Sequence, residues 1–395
     1  MSCARLPATV TVPERVAALV TTLEHAGHEA WCVGGALRDA LLGLPHADFD
    51  VATSATPAEV RKIFRRTVAV GERYGTVGVL DDAGGLHEVT TFRQDVRTDG
   101  RHAEVRYGVS LDEDLARRDF TINALAYHPI RREWRDPFLG AKDLRERTIR
   151  AVGDPVARFR EDYLRVLRGL RFAARFGFEI EPATWTAILG ATAGLPQLSA
   201  ERVRDEWFKS LRTGETVTGV AQLWRDAGVA GVLIPELRPA AGVEPHLSAA
   251  PRDPVLLTAA LCREPGEVLR RLRASSAEIA RVAAISAGPA MPAESSVVAV
   301  RQWLASVGAA ADDLSRLHLM ASGVPAPWSA MVEEIRARRE PLARDELAIR
   351  GGDLLALGMS GPEIGRTLDR LLARVLEDPA LNRRETLLTL AREGA

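Results

Sequence analysis

Apolar and polar positions follow two rhythms along this 395-residue chain, one before about residue 150 and another after it. The first stretch alternates short apolar runs with helical patterns. Pro13 to His28 reads as an amphipathic helix, with proline where a first turn tolerates it. The run Trp31-Cys32-Val33-Gly34-Gly35-Ala36-Leu37-Arg38-Asp39 reads as a buried strand, a tight turn and a helix start. Residues 76–80 and 87–92 read as strands, joined by the turn-like Asp81-Asp82-Ala83-Gly84-Gly85. From about Val156 strand signals nearly vanish, and helical periodicity runs to the C-terminus, broken by Pro and Gly. Pro235, Pro239, Pro245, Pro251 and Pro254 cluster in a boundary zone, with further breaks at Met291-Pro292-Ala293 and Pro325-Ala326-Pro327. No internal repeat or low-complexity tract is evident. The pattern predicts an α+β part followed by an all-α remainder.

Composition narrows the class. The length suits two to four compact units on a prior of roughly 150 residues each. Hydrophobic content of 46% and charged content of 27% are ordinary for a globular protein. No apolar run reaches membrane-spanning length, and no secretory signal is seen at the start. Cys3, Cys32 and Cys262 are odd in number and widely spaced, which argues for inert thiols in a reducing, cytoplasmic compartment. A net charge of −1 means that any nucleic acid must be held by local patches. The lysines are Lys62, Lys142 and Lys209. None follows a glycine, which excludes a Gly-Lys-Ser/Thr phosphate loop.

Three constellations carry candidate chemistry. Asp48 and Asp50 flank Phe49, and alternate strand positions face one side. Two acids there repel unless a cation lies between them. Mg²⁺ takes one or two carboxylates and completes its shell with water and substrate phosphate. Gly34-Gly35 opens a helix whose N–H groups suit phosphate, and Arg38 in its first turn reaches the same place. The second constellation is residues 115–127. Here Arg117 and Arg118 suit bidentate phosphate contacts, and Asp119 and Asn123 share a helix face able to hold sugar hydroxyls. Its alternative is a capped helix start with Leu125 in the core.

The third constellation is residues 159–172. Phe159, Tyr163, Val166, Leu167 and Leu170 form a core stripe at helical spacing. Asp162, Arg165, Arg168 and Arg171 recur every third residue on another side. Three unpaired arginines repel one another, so a triphosphate or an RNA backbone is a natural counterpart. The Asp162–Arg165 pair also has a coding logic. A carboxylate accepts from an amino group while a guanidinium only donates. Cytosine and adenine offer an amino group beside a ring acceptor, and uracil and guanine offer the reverse. One such pair thus accepts C and A without a template. Its alternative is a plain helix ion pair, worth roughly 0.2–0.5 kcal/mol.

Together the segments resemble the class II tRNA nucleotidyltransferases, the CCA-adding enzymes, which share their fold with bacterial poly(A) polymerases. The matching runs are 34–39, 48–55, 88–93, 117–124, and Glu161-Asp162 with Arg165, Arg168 and Arg171. The resemblance spans about residues 15–235, thins afterwards and returns near 349–354 and 361–365. It implies a DNA polymerase β-like nucleotidyltransferase head over residues 1–150. A helical neck over 151–235, a body over 236–340 and a tRNA-binding tail over 341–395 would follow. It implies that Asp48 and Asp50 hold Mg²⁺. Gly35 and Arg38 would meet the nucleotide's phosphates, with Arg118 and Asp119 in the same site. Asp162 and Arg165 would read the base, and Arg168 and Arg171 would help hold the nucleotide. CTP, ATP and tRNA are the implied substrates. Glu88 is either a third acid near the metal or a strand acid paired with Arg93. Thr98-Asp99-Gly100-Arg101 resembles a loop that CC-only enzymes lack, which favours complete CCA addition over poly(A) or partial addition. Intact Asp48, Asp50, Arg118 and Asp162 speak against an inactive RNA-binding protein.

Overall fold

The computed structural model describes residues 6–45, 49–70, 75–98, 103–238, 247 and 251–394. The chain forms two compact units, Met1–Pro235 and Glu236–Ala395.

In the first unit, α1 (Glu14–His25) buries Val16, Leu19, Val20 and Leu23 along one stripe. It leads into β1 (Ala30–Val33), α2 (Gly35–Leu41), β2 (Asp50–Thr53) and α3 (Pro57–Ile63), the last opened by a Thr56–Glu59 capping box. There follow β3 (Thr67–Ala69), β4 (Thr76–Leu80), β5 (Leu86–Thr91), β6 (Arg93–Thr98), β7 (Ala103–Tyr107) and α4 (Leu111–Ala116). Next come β8 (Ala126–His128), β9 (Glu133–Arg135), α5 (Gly140–Arg145) and β10 (Thr148–Ile149). The expected helix and strands are thus present, within a residue or a few at their ends.

One sheet runs in the order β3-β4-β5-β2-β1-β8-β9. It is mixed, since β2 and β5 are parallel while β1 pairs antiparallel with both β2 and β8. Cys32, Val51 and Val89 lie at its centre without solvent exposure. Trp31, Val33, Ala52, Phe92, Leu115 and Ala126 pack together against its other face. β6 and β7 form a separate hairpin.

Helices then take over: α6 (Pro155–Glu161), α7 (Leu164–Phe176), α8 (Pro182–Gly190), α9 (Ala200–Thr213), α10 (Val217–Asp226) and α11 (Val229–Leu233). The exception is β11 (Glu179–Ile180), which pairs in parallel with β10. α7 packs on α9, and α6 on α8. Trp207 and Trp224 meet edge to face with centroids 4.9 Å apart.

Among its described residues the second unit is helical, apart from one bridge between Leu237 and Cys262. Its C-terminal part centres on Ile349, Leu354, Leu371, Val375 and Leu387. Asp353 caps the helix Gly351–Ala356 and also receives Arg384. Among the described residues no helix is long and apolar enough to cross a membrane. Burial pushes the Cys32 and Cys262 thiols up to about 12, as expected of inert side chains. Cys3 lies outside the described residues.

Candidate active site

The turn between β1 and α2 organises the site. Gly34 adopts φ 84° and ψ −144°, a conformation that side chains exclude. A methyl group there would stand 3.2 Å from Asp50 Oδ2 and 3.4 Å from Arg118 Nη1. The carboxylate arrives there because β1 and β2 pair with Val33 opposite Asp50. Asp48 lies outside the described residues, as does the segment 99–102. One step before the Val51–Val89 pair of the β2–β5 ladder, Asp50 and Glu88 fall side by side on one face. Glu88 is exposed.

Arg118 comes from the end of α4, which a Ser110–Glu113 capping box starts. Its Nη1 donates to the Asn123 carbonyl and its Nη2 to Asp114 Oδ2, both at 3.3 Å. Its Nε is buried without a partner among the described residues. Asp119 and Asn123 do not share a helix face as expected. Thr121–Asn123 is a single 3₁₀ turn, and the two side chains bond directly, Asn123 Nδ2 donating to Asp119 Oδ1 at 2.9 Å. The Phe120 N–H donates to the same oxygen, and Arg168 Nε donates to Oδ2 at 2.7 Å.

Burial alone would raise the Asp119 carboxyl. The Arg168 charge and three hydrogen bonds outweigh it and hold the group at about 2. A depressed carboxylate contributes stability above its unfolded value of about 4, and loses it as pH falls toward 2. Asp119→Asn is therefore expected to cost about 2.5 kcal/mol at pH 7. The gap to the parent should close as pH drops below about 4. Denaturant melts of both proteins at pH 7, 5, 4 and 3 measure it, and a pH-independent gap would refute the charge argument.

Arg38 is buried, at 4% exposed. Its Nε and Nη2 donate to Asp39 at 2.8 Å, and its Nη1 to Asn123 Oδ1 at 2.5 Å. These partners are protein groups, and its Nη2 lies 3.3 Å from where a methyl group on Gly35 would stand.

The helix expected through residues 159–172 is broken. Asp162, at φ −157° and ψ 106°, separates α6 from α7. The apolar stripe hides the break, because Tyr163 continues the helical spacing. Its ring lies on Gly194, where an added methyl would be 2.0 Å away. Asp162 and Arg165 do not form the ordinary helix ion pair. Asp162 Oδ1 accepts from the Leu164 N–H at 3.0 Å, and Oδ2 accepts from Arg202 Nη2 at 2.7 Å. Arg165 donates to Glu161 Oε2 at 2.5 Å and to the carbonyls of Arg158 and Arg117 at 3.0 Å.

Nor are the three arginines unpaired. Arg165 has Glu161, Arg168 has Asp119, and Arg171 donates to the buried Glu206 at 2.6 Å. The anions that relieve their repulsion are thus partly the protein's own. Arg202, Glu206 and Asp114 had escaped notice. Glu206 is four residues after Arg202 on α9, the one available hint that both face the same way.

The donor set fits a hard cation. Asp50 brings carboxylate oxygen, the strand register sets Glu88 alongside it, and Arg118, with spare donor capacity, meets Asp50 over Gly34. No three His, Cys, Asp or Glu side chains converge among the described residues. Mg²⁺ does not require such a cage, because substrate phosphate completes its shell.

A mixed sheet carrying an acid over a Gly-Gly turn, with an arginine opposite, defines a nucleotidyltransferase head. Residues 30–150 match the family described as "Poly A polymerase head domain", and residues 177–240 match "Probable RNA and SrmB- binding site of polymerase A". The chain is 36% identical over 392 residues to a CCA-adding enzyme of Lactiplantibacillus plantarum, covering 95% of this chain and 94% of the relative. It is 35% identical over 405 residues to one from Latilactobacillus sakei, covering 97% and 99%. The solved Bacillus stearothermophilus CCA-adding enzyme in complex with CTP superposes with a TM-score of 0.81 at 32% identity, covering 97% and 98%. The chain belongs to the CCA-adding enzyme family.

Proposed function

We propose that this protein adds C, C and A to the 3′ end of tRNA from CTP and ATP, releasing pyrophosphate without a template. The observation that carries the reading is the convergence of Asp50 Oδ2 and Arg118 Nη1 over Gly34, in a chain related over nearly its whole length to CCA-adding enzymes.

In this reading Asp48 and Asp50 would hold Mg²⁺, which would supply positive charge to the attacking and leaving oxygens. The chain's own residues do the rest. The Gly35 N–H and the Arg118 guanidinium face the triphosphate. Arg38 and Asp119 belong to the same nucleotide site, where they also fix Asn123 and Arg168. Asp162 accepts from the amino group of C or A, while Arg165 donates to the ring acceptor beside it. Arg168 and Arg171 line the same pocket. The RNA 3′-hydroxyl then attacks the α-phosphate. Residues 1–150 form the catalytic head, 151–235 the base-reading neck, 236–340 the body and 341–395 a tail that meets tRNA. The working compartment is the cytoplasm.

The test offers tRNA ending at its discriminator base with CTP, ATP and both, and sequences the 3′ ends. One C-C-A per tRNA with both nucleotides, and C-C with CTP alone, is expected. Long A runs from ATP alone would instead mark a poly(A) polymerase.

A further inference from the structure

Phe172 and Phe176 lie one turn apart on α7 and stack with planes 5° apart and centroids 6.1 Å apart. Over the Phe172 centroid stand the guanidinium carbons of Arg171 at 4.3 Å, Arg38 at 5.0 Å and Arg168 at 5.3 Å. Arg38 also lies 4.9 Å from Phe176, and Arg175 lies 4.8 Å from it. Phe120 meets Phe172 edge on, at 84°. Each guanidinium is also held at its rim. Asp39 takes Arg38 and Arg175, Asp119 takes Arg168, and Glu206 takes Arg171.

Four like charges gathered this closely repel one another, and burial lowers the pKa of Arg38 and of Arg171. A carboxylate fixes a guanidinium at its edge but leaves the plane free to tilt. An aromatic face, negative at its centre, fixes that tilt. An aliphatic side chain of equal size fills the space without that field. The three guanidinia on Phe172 are unequal. The side chains of Arg38 and Arg171 are 5% and 9% exposed, whereas that of Arg168 is 35% exposed. The buried two stand against the ring inside the fold, and the third reaches solvent.

We propose that Phe172 is a positioning residue for nucleotide binding, setting the plane in which Arg168 presents its Nη groups to the incoming CTP or ATP. This rests on the reading of Arg168 as part of the nucleotide pocket. Because the ring is buried at 3% exposure and acts through Arg168, its effect is equal for C and A.

The test replaces Phe172 by phenylalanines carrying one, two and three ring fluorines, which weaken the face potential stepwise while nearly keeping the shape. KM for CTP and for ATP is expected to rise together, by roughly three- to thirty-fold across the series. The kcat should change less than KM and the C-to-U preference should hold, while the melting temperature falls modestly, because Arg38 and Arg171 lose the same field. The same series at Phe120, which touches Phe172 but carries no guanidinium among the described residues, should leave KM unchanged. A flat KM across the Phe172 series, or an equal rise in the Phe120 series, overturns the proposal. Arg168→Ala is measured in parallel. If it loses nucleotide affinity while the fluorinated series does not, only the role of Phe172 falls. If it binds CTP and ATP normally, the placing of Arg168 in the pocket falls too.

Discussion

Asp50→Asn should cut incorporation of CTP and ATP alike by roughly a thousandfold, about 4 kcal/mol of transition-state stabilisation. The substitution keeps the shape and removes the charge. Asp50 sits at the start of β2 with Oδ2 beside Gly34, so the amide would occupy the same space. An amide is a poor ligand for a hard cation and gives Arg118 no ionic counterpart. The fold should survive, because β2 is held by its ladders to β1 and β5. Single-turnover assays with each nucleotide, alongside a melting curve and a tRNA-binding measurement, read the effect. Near-normal turnover in Mg²⁺ by a folded variant would remove Asp50 from the chemistry. The same result is expected for Asp48→Asn.

The second large effect concerns which base is accepted. Asp162→Ala should lower CTP and ATP use and narrow the preference over UTP by about ten- to a hundredfold, equivalent to about 1–3 kcal/mol of discrimination. GTP should gain less, because its ring N–H still opposes Arg165 and its purine is bulkier. The structure sharpens the rival explanation. Asp162 also receives the Leu164 N–H and Arg202. Truncating it should therefore loosen the start of α7 by about 1 kcal/mol, whatever its role in base choice. That loss alone is uniform across the nucleotides. Measuring kcat/KM for all four triphosphates on one primer separates the two, and an unchanged C-to-U ratio would defeat base reading.

The local signals were strong where a short run decides its own structure. Residues 31–39 formed the strand, turn and helix start that Gly34-Gly35 implies, and residues 76–80 formed the expected strand. Other features depend on partners distant in sequence. Nothing near Arg168 announces Asp119, 49 positions earlier, or near Arg171 announces Glu206, 35 later. Read alone, the arginines therefore looked unpaired. The break at Asp162 was hidden for a different reason. Phe159, Tyr163 and Val166 keep helical spacing across it, so hydrophobic periodicity passes straight over the gap. The segment 119–123 looked helical by spacing, yet Asp119 and Asn123 bond to each other and close a tighter turn. Phe172 drew no notice, because burial and cation stacking leave the same apolar mark in a sequence.

The β10–β11 pairing bears on how such proteins can be recombined. The Glu179 N–H donates to the Arg147 carbonyl, and Arg147 Nη2 donates to the Phe176 and Gly177 carbonyls. At the opposite end of α7, Arg165 is tied to the Arg117 carbonyl. The helix proposed to read the base is thus stitched at both ends to the segment proposed to carry the phosphate side of the site. A chimera joined near residue 150 would splice two parents through these stitches. Each parent would have to supply backbone partners shaped for the other's helix, and a mismatch would misalign base and phosphate together. A crossover after Pro235 cuts none of them, so homologous parts exchanged there would carry the whole reading apparatus across as one inherited block.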